Sequence, residues 1–236
     1  MQVTSALHKS ILRDDRHRKE HQVIIAGVTY GQAEILSLRT NGGVFTEPDI
    51  GVCASRQIDL TIRGPAGTIP RGAEIRVYTR LVLEEENLAA EWLPKGVFYS
   101  SIRRTDKITG SMTIHGYDAM RKAGDVWLTA DYDRVNWPMS QWDAVRDIAY
   151  RMGVEIDPRT QLSNNFPVAY PVDENGDLYM EDILSGIAVS NAGNWVMSDE
   201  GKLLLLRYGD IPPETWYLVD EFGDAITFGG DRIVVG

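Results

Sequence analysis

Period-two alternation of apolar and polar residues dominates the first half of the chain, and two instances lie side by side. Gly96–Thr105 sets Val97, Tyr99 and Ser101 against Phe98, Ser100 and Ile102; Ser111–His115 sets Met112 and Ile114 against Ser111, Thr113 and His115. The link Asp106-Lys107-Ile108-Thr109-Gly110 has the length and the glycine of a hairpin loop. Pro94 and Gly96 on either side of Lys95 predict a tight turn leading into the first of these strands. After His115 the pattern changes, and Tyr117–Ala123 reads as one or two helical turns closed by Gly124.

Upstream the same period recurs. Gln22–Ala26 and Val28–Tyr30 flank Gly27 as a tight hairpin, and Ile35–Leu38 is a further strand broken by Asn41-Gly42-Gly43. Gln57–Arg63 places Ile58, Leu60 and Ile62 on one face, and Ala73–Leu83 starts with alternation and ends wholly apolar before the exposed Glu84-Glu85-Glu86-Asn87. About seven strands in roughly 100 residues predict a small antiparallel barrel or sandwich. Closure removes edges that would otherwise pair with other chains. Residues 1–20 form a mixed-charge arm whose apolar stripe is only Leu7, Ile11 and Leu12. That is too little for an independent helix, so the arm is either a short docked helix or a frayed terminus.

Beyond Gly124 helical spacing takes over. Ser140 caps a helix to Met152 that buries Trp142, Val145, Ile148, Ala149 and Met152, with Gly153 at its end. Residues 154–177, with Pro158, Pro167, Pro171 and Asn175-Gly176, read as irregular chain. A second helix covers Leu178–Asn191, with Met180, Ile183, Leu184, Ile187 and Ala188 inward, followed by a hairpin of Asn194–Met197 and Lys202–Arg207. Trp216–Val219, Ala225–Phe228 and Arg232–Val235 return to strand, and the apolar end Ile233-Val234-Val235 suggests a strand that inserts into the barrel or leads into a longer protein. The predicted organisation is an N-terminal arm (1–20), an antiparallel barrel (21–124), an α+β domain with two helices (125–210) and strands that return to or start a barrel (211–236). The class is α+β, mainly β.

Composition narrows the function. The chain has 236 residues and a net charge of −10. Residues 1–123 carry 17 basic and 14 acidic side chains, a balance of +3, while residues 124–236 carry 7 basic and 20 acidic, a balance of −13. The second half is therefore ill suited to gripping nucleic-acid backbone. Acidic loops that keep the domain soluble account for the excess in the plainest way. No apolar run approaches the ~20 residues of a membrane span, and the N-terminus lacks the apolar stretch of a signal peptide. The single cysteine, Cys53, excludes an intramolecular disulfide and reads as a small core residue.

Candidate chemistry is sparse. His8, His17 and His21 lie in the arm, with 17 and 21 at helical spacing but without the acid of a metalloprotease motif, and His115 stands alone. The acid pairs Asp14-Asp15, Glu181-Asp182 and Asp220-Glu221 and the triplet Glu84-Glu85-Glu86 are contiguous, so they point apart rather than across a cleft as glycoside hydrolysis requires. Asp173-Glu174-Asn175-Gly176-Asp177 lacks the alternating acids of a calcium loop, and Gly229-Gly230 has no Lys-Ser/Thr behind it. The aromatics Trp127, Tyr132, Trp137 and Trp142 fit a small core joining two modules better than a sugar-stacking platform, because Trp142 falls on the apolar helix face. From the residues, no catalytic, metal or cofactor site is expected, and the chain is read as a non-enzyme.

One ordered series carries a resemblance. Trp92-Leu93-Pro94-Lys95-Gly96-Val97-Phe98-Tyr99, then Gly116-Tyr117-Asp118-Ala119-Met120, then Trp137-Pro138-Met139 and Ala192-Gly193-Asn194-Trp195 resemble the tail-tip or baseplate hub proteins of long-tailed bacteriophages and prophages. The resemblance spans most of residues 20–236. It implies a tail-tube-like β-barrel, an α/β domain outside it, a homotrimer, and contacts with the tail tube, distal tail, tape-measure and fibre or spike proteins. DNA would be transient cargo, and the protein a virion component assembled in the host cytoplasm. Trp92, Pro94, Lys95, Gly96, Phe98, Gly116, Tyr117, Asp118, Trp137, Pro138, Gly193, Asn194 and Trp195 are then structural motif residues. A trimer matching a six-fold tube needs two barrels per subunit, and only one complete barrel is legible here. A cell-wall hydrolase or wall-binding module of a tail, and the hub of a phage-derived contractile injection device, are the alternatives.

Overall fold

The computed structural model describes residues 4–42, 49–64, 69–128, 137–168 and 178–208, and the short strands 216–217, 227–228, 231–232 and 234–235 beyond them. The predicted alternation becomes one large sheet. Its strands are β1 (Arg18–Ile25), β2 (Val28–Tyr30), β3 (Ile35–Asn41), β5 (Gln57–Arg63), β6 (Glu74–Leu83), β7 (Leu88–Ala89), β8 (Leu93–Asp106) and β9 (Ser111–Asp118); β4 (Cys53–Ala54) lies elsewhere. The order is β2-β1-β6-β8-β9-β5-β3, with β7 on β6, and every pairing in it is antiparallel.

The inward faces of these strands form the first core. Val23 and Ile25, Ile58, Leu60 and Ile62, Ile75 and Val77, Phe98, Met112 and Ile114 are all buried, so strict alternation reads directly as one wet and one dry face. Tyr30 of β2 and Ile35 of β3, from opposite edges, belong to the same core, so the sheet curls around it. The closed barrel expected from the strand count is not formed by the described residues, because no ladder joins β2 to β3. The Gly31–Glu34 turn between them uses its own donors: the Glu34 carboxylate accepts from Gly31 N at 2.8 Å, and Ile35 N donates to Gly31 O at 3.0 Å.

The turn predicted at Pro94–Gly96 is instead inside β8. Val77 faces Gly96 and Tyr78 faces Pro94, so Lys95 is the extra residue of a bulge. Gly96 has φ 145°, and a Cβ there would sit 2.6 Å from the Phe98 ring. Glycine at this point lets the backbone pass over a buried aromatic, which its period-two neighbours do not reveal.

The second core gathers around two helices. A 3₁₀ turn, Ala119–Gly124, leads to β10 (Val126–Leu128), β11 (Met139–Ser140) and α2 (Gln141–Met152), counting the N-terminal helix Ala6–Leu12 as α1. Then come β12 (Pro167–Val168), β13 (Leu178–Tyr179), α3 (Met180–Ser190) and the hairpin β14 (Gly193–Met197) and β15 (Leu203–Arg207). The Ser140 hydroxyl accepts from Asp143 N at 3.1 Å, and Gly153 ends α2 in the left-handed region, as the sequence signals predict. Ala144, Val145, Ile148 and Met152 pack with Leu184, Ile187, Ala188 and Trp195, and Trp127 joins them with Trp137 and Trp142 alongside. Tyr132, the loop 173–177, Gly229-Gly230 and Ile233 lie outside the described residues. Of the returning strands, β16 (Trp216–Tyr217) pairs with β19 (Val234–Val235), and β17 (Thr227–Phe228) with β18 (Asp231–Arg232).

The arm docks on its own chain. Ile11 of α1 is 1% exposed and packs on Leu81, Leu83 and Ala90. Ser5 caps α1, and its backbone N and hydroxyl donate to the Glu91 carboxylate at 2.7 and 2.6 Å, holding that carboxyl down at about 2. Tertiary contact supplies what a seven-residue helix lacks alone. Ile11→Ala should weaken the docking of α1 by about 2–5 kcal/mol. Hydrogen exchange should then accelerate over Ala6–Leu12 and remain slow in β5; unchanged exchange in α1 would show that Ile11 does not anchor it.

Candidate functional site

Four of the thirteen motif residues, Asp118, Gly193, Asn194 and Trp195, converge on one short stretch, Asp49–Arg56, which crosses from the curled sheet to the second core. Its middle, β4, runs parallel to β14, with Cys53 opposite Trp195 and Ala54 opposite Val196. A two-residue strand has little hold by itself, and side chains at both ends supply the rest.

At the near end stands Asp118, the last residue of β9, whose side chain is 0% exposed. Its carboxylate accepts from Ser55 Oγ and Arg56 N, both at 3.0 Å, and from Met120 N at 3.2 Å, capping the 3₁₀ turn. Its own N–H donates to Arg56 O at 3.0 Å. The Arg56 guanidinium continues the junction: Nε lies 3.5 Å from Asp118, Nη1 donates to Asp199 at 2.9 Å and Nη2 to Ser198 O at 3.1 Å. Arg56 thus ties β5 to the β14–β15 turn while its cation lies 5.7 Å from the Phe98 ring centroid. Burial pushes the Asp118 carboxyl above its usual range, opposed by the Arg56 amide and charge and the Ser55 hydroxyl.

At the far end stands Asn194, fully buried in β14. Its Oδ1 accepts from Val52 N at 2.9 Å and its Nδ2 donates to Asp49 O at 3.0 Å. Gly193 O accepts from Gly51 N at 3.0 Å, and Trp195 N donates to Val52 O at 2.9 Å. The Trp195 indole donates to Leu184 O at 2.8 Å, so the same strand also fixes α3. Gly193 also lies tight against β15, where a Cβ would lie 2.5 Å from Leu206 O. Gly116 does the same in the large sheet, where a Cβ would lie 2.6 Å from Tyr99 O, opposite a bulge at Ser101.

The remaining motif residues sit apart from this clasp. Trp92 lies under the Arg80 guanidinium, 4.5 Å from the ring centroid. Tyr117 packs edge-on to His115 at 5.0 Å and under Arg121 at 5.6 Å. Trp137 and Pro138 are joined by a cis peptide bond, and Trp137 meets Trp127 edge-on at 5.8 Å. Pro94 and Lys95 belong to the bulge. The histidines are separately engaged: His17 with Asp14 O, His21 with Thr79 Oγ1 and His115 with Asp59. Among the described residues no three His, Cys, Asp or Glu side chains form a metal-binding group. Burial beside Glu181 and Asp182 pushes the Cys53 thiol up to about 12, which suits a packed thiol rather than a nucleophile.

Sequence reasoning missed Asp49–Ser55 and Arg56 as the meeting point. The only cue was the short apolar run Val52-Cys53-Ala54 behind Gly51, without period or length. The site is a set of structural hydrogen bonds in which buried side-chain oxygens satisfy backbone amides, and its work is to fix two cores in one orientation.

With this arrangement in view, the chain is similar to solved tail proteins. It resembles the crystal structure of the 43 kDa tail protein of prophage MuSo2 from Shewanella oneidensis, with a TM-score of 0.51 and 12% identity over 80% of this chain and 56% of that one. It also resembles the tail protein from Neisseria meningitidis MC58, with a TM-score of 0.52 and 15% identity over 88% of this chain and 57% of that one. No family model and no curated protein sequence matches it. The fold is that of phage and prophage tail proteins, and the chain spans little more than half the length of these two.

Asp118→Ala should lower stability by about 2–4 kcal/mol in urea unfolding, because it strands the Arg56 and Met120 amides and the Ser55 hydroxyl that it accepts from. Asp118→Asn separates the titration from the packing. A carboxyl raised in the folded state holds its proton more tightly there, so its contribution is fullest below the ordinary carboxylate range and falls as pH rises through the raised pKa. The stability difference between the native chain and Asp118→Asn should therefore shift against the native chain across that window. A difference that is flat with pH would show that the Asp118 pKa is not raised.

Proposed function

We propose that this chain is a structural hub of a phage tail tip or baseplate, assembling as a homotrimeric ring that caps or continues the tail tube during genome ejection. The observation that carries this reading is the fold shared with two tail proteins over 80% and 88% of the chain. In this reading residues 21–124 are the tube-like barrel unit, 125–210 an outer domain, and 211–236 strands that start or complete a barrel. The partners are the tail tube, distal tail and tape-measure proteins and the fibre or spike proteins, with DNA as transient cargo. The protein belongs to the virion and is assembled in the host cytoplasm.

The physical chemistry supports a mechanical role. A curled sheet whose β2 and β3 edges are unpaired among the described residues is completed when a neighbouring strand adds to either edge, and repetition of that contact by rotation closes a ring. The Asp118 and Asn194 clasps transmit force between the cores without a soft linker. Carboxylates of the second half, turned toward the channel, would repel passing DNA.

The test is mass in solution by light scattering across a concentration series, with and without tail tube protein. A trimer is expected at high concentration or on addition of the tube. Leu36→Lys, a charge on an exposed position of the β3 edge, should return the trimer to monomer with an unchanged circular dichroism spectrum. A chain that remains monomeric under all these conditions overturns the ring.

A further inference from the structure

A cavity of about 360 Å³ opens where β8 and β9 run into the Ala119–Gly124 turn, beside the loop that enters β6. Ser101, the extra residue of the second β8 bulge, lines it, and such bulges re-aim side chains out of a strand's plain alternation. The charged part of the lining is three cations, Arg71, Arg121 and Lys122, against one carboxylate, Asp118. Asp118 is committed elsewhere: it accepts from Ser55, Arg56 and Met120 and lies 3.5 Å from the Arg56 guanidinium. None of the three cations pairs with a carboxylate among the described residues. Arg121 lies over the Tyr117 ring, 5.6 Å from its centroid. Lys122 lies 4.7 Å from the Tyr99 ring centroid and donates to Met152 O at 2.7 Å. A ring face or a carbonyl holds a cation in place without neutralising it, so positive charge is left over on this lining.

That arrangement selects a ligand by its charge. Arg71 and Arg121 are exposed, and neither guanidinium donates to an acceptor among the described residues. Their planar forks of N–H donors match the oxygens of a phosphate or carboxylate. The Tyr117 and Tyr99 rings restrict Arg121 and Lys122 in advance, which lowers the entropy lost when a ligand is bound. A phosphate monoester carries about two negative charges at neutral pH, and a carboxylate or phosphate diester about one, so three cations favour the monoester. The volume admits the phosphate and a small body attached to it. We propose that this cavity binds the dianion of a phosphate monoester, with Arg71 and Arg121 as the forked contacts and Lys122 as the third charge. None of its residues belongs to β2 or β3, so the site stands apart from the edges of the ring reading.

The experiment is isothermal titration calorimetry of the intact chain with methyl phosphate, dimethyl phosphate and acetate at neutral pH and one ionic strength. Methyl phosphate should bind with a Kd of about 1 mM or tighter, at least about tenfold tighter than dimethyl phosphate or acetate. The double variant Arg71→Met/Arg121→Met changes two exposed side chains, so its circular dichroism spectrum should be unchanged while methyl phosphate binding weakens about tenfold or more. Arg104→Met, at an exposed arginine of β8 outside the cavity, should bind methyl phosphate as the native chain does. Competition by phosphatidate vesicles would identify a lipid headgroup as the source, and methyl phosphate binding without vesicle competition would identify a free phosphate; either supports the site. No methyl phosphate binding by the folded chain, equal binding of dimethyl phosphate or acetate, undiminished binding by the double variant, or an equal loss in Arg104→Met overturns it. The oligomeric state does not enter these readouts, so failure here leaves the ring reading untouched.

Discussion

The structure depends on a buried carboxylate that cannot be moved without loosening two cores. Asp118 ends β9, caps the turn that follows and holds the backbone of Arg56, so one side chain sets the exit from the large sheet and the approach of β4 to the second. A charge taken out of water is costly unless hydrogen bonds replace the lost solvent. Three donors and the Arg56 guanidinium replace it here. Asn194 performs the matching task with a neutral amide, using its acceptor and its donor on backbone groups of the same stretch. The two cores are thus held by polar groups aimed at backbone, a form of contact that fixes geometry more strictly than apolar packing does.

Glycine placement within the sheets follows a constraint of its own. At Gly96, Gly116 and Gly193 the neighbouring ring or carbonyl already occupies the space of a Cβ. These glycines are not turns. They are points where the backbone runs close against a ring of its own strand or a carbonyl of the paired strand, and they explain why residues without side chains stand among the motif positions beside Phe98, Asp118 and Trp195.

Much of the fold was legible because its cause is local. The alternation in Gln57–Arg63 and Ser111–His115, and the Ser140 cap and Gly153 stop of α2, each report burial or capping within one element. The two misreadings have different origins, one in a contact remote along the chain and one in a local turn. Pro94-Lys95-Gly96 carries turn composition, yet pairing with β6 stretches it into a bulged strand. The strand count implied closure, yet the Gly31–Glu34 turn spends its amides on itself. The clasp was half visible: Asp118 and Asn194 stood in the motif series, while their shared target at Asp49–Arg56 had no pattern to mark it. The tail-protein likeness was visible in the ordered series of short motifs, and the solved tail proteins share the fold at identities where sequence alone is nearly silent.

The parallel pairing of β4 with β14 also bears on how the chain is made. The Val52 and Asn194 partners are 142 positions apart. Contacts of such separation cost loop-closure entropy before they return any stabilisation, and they lengthen the search for the native state. The curled sheet can assemble while the ribosome is still delivering α2 and α3. Residues 49–54 must then wait for their partner until β14 emerges from the exit tunnel. The order of synthesis leaves this stretch without its partner strand while more than a hundred further residues are made.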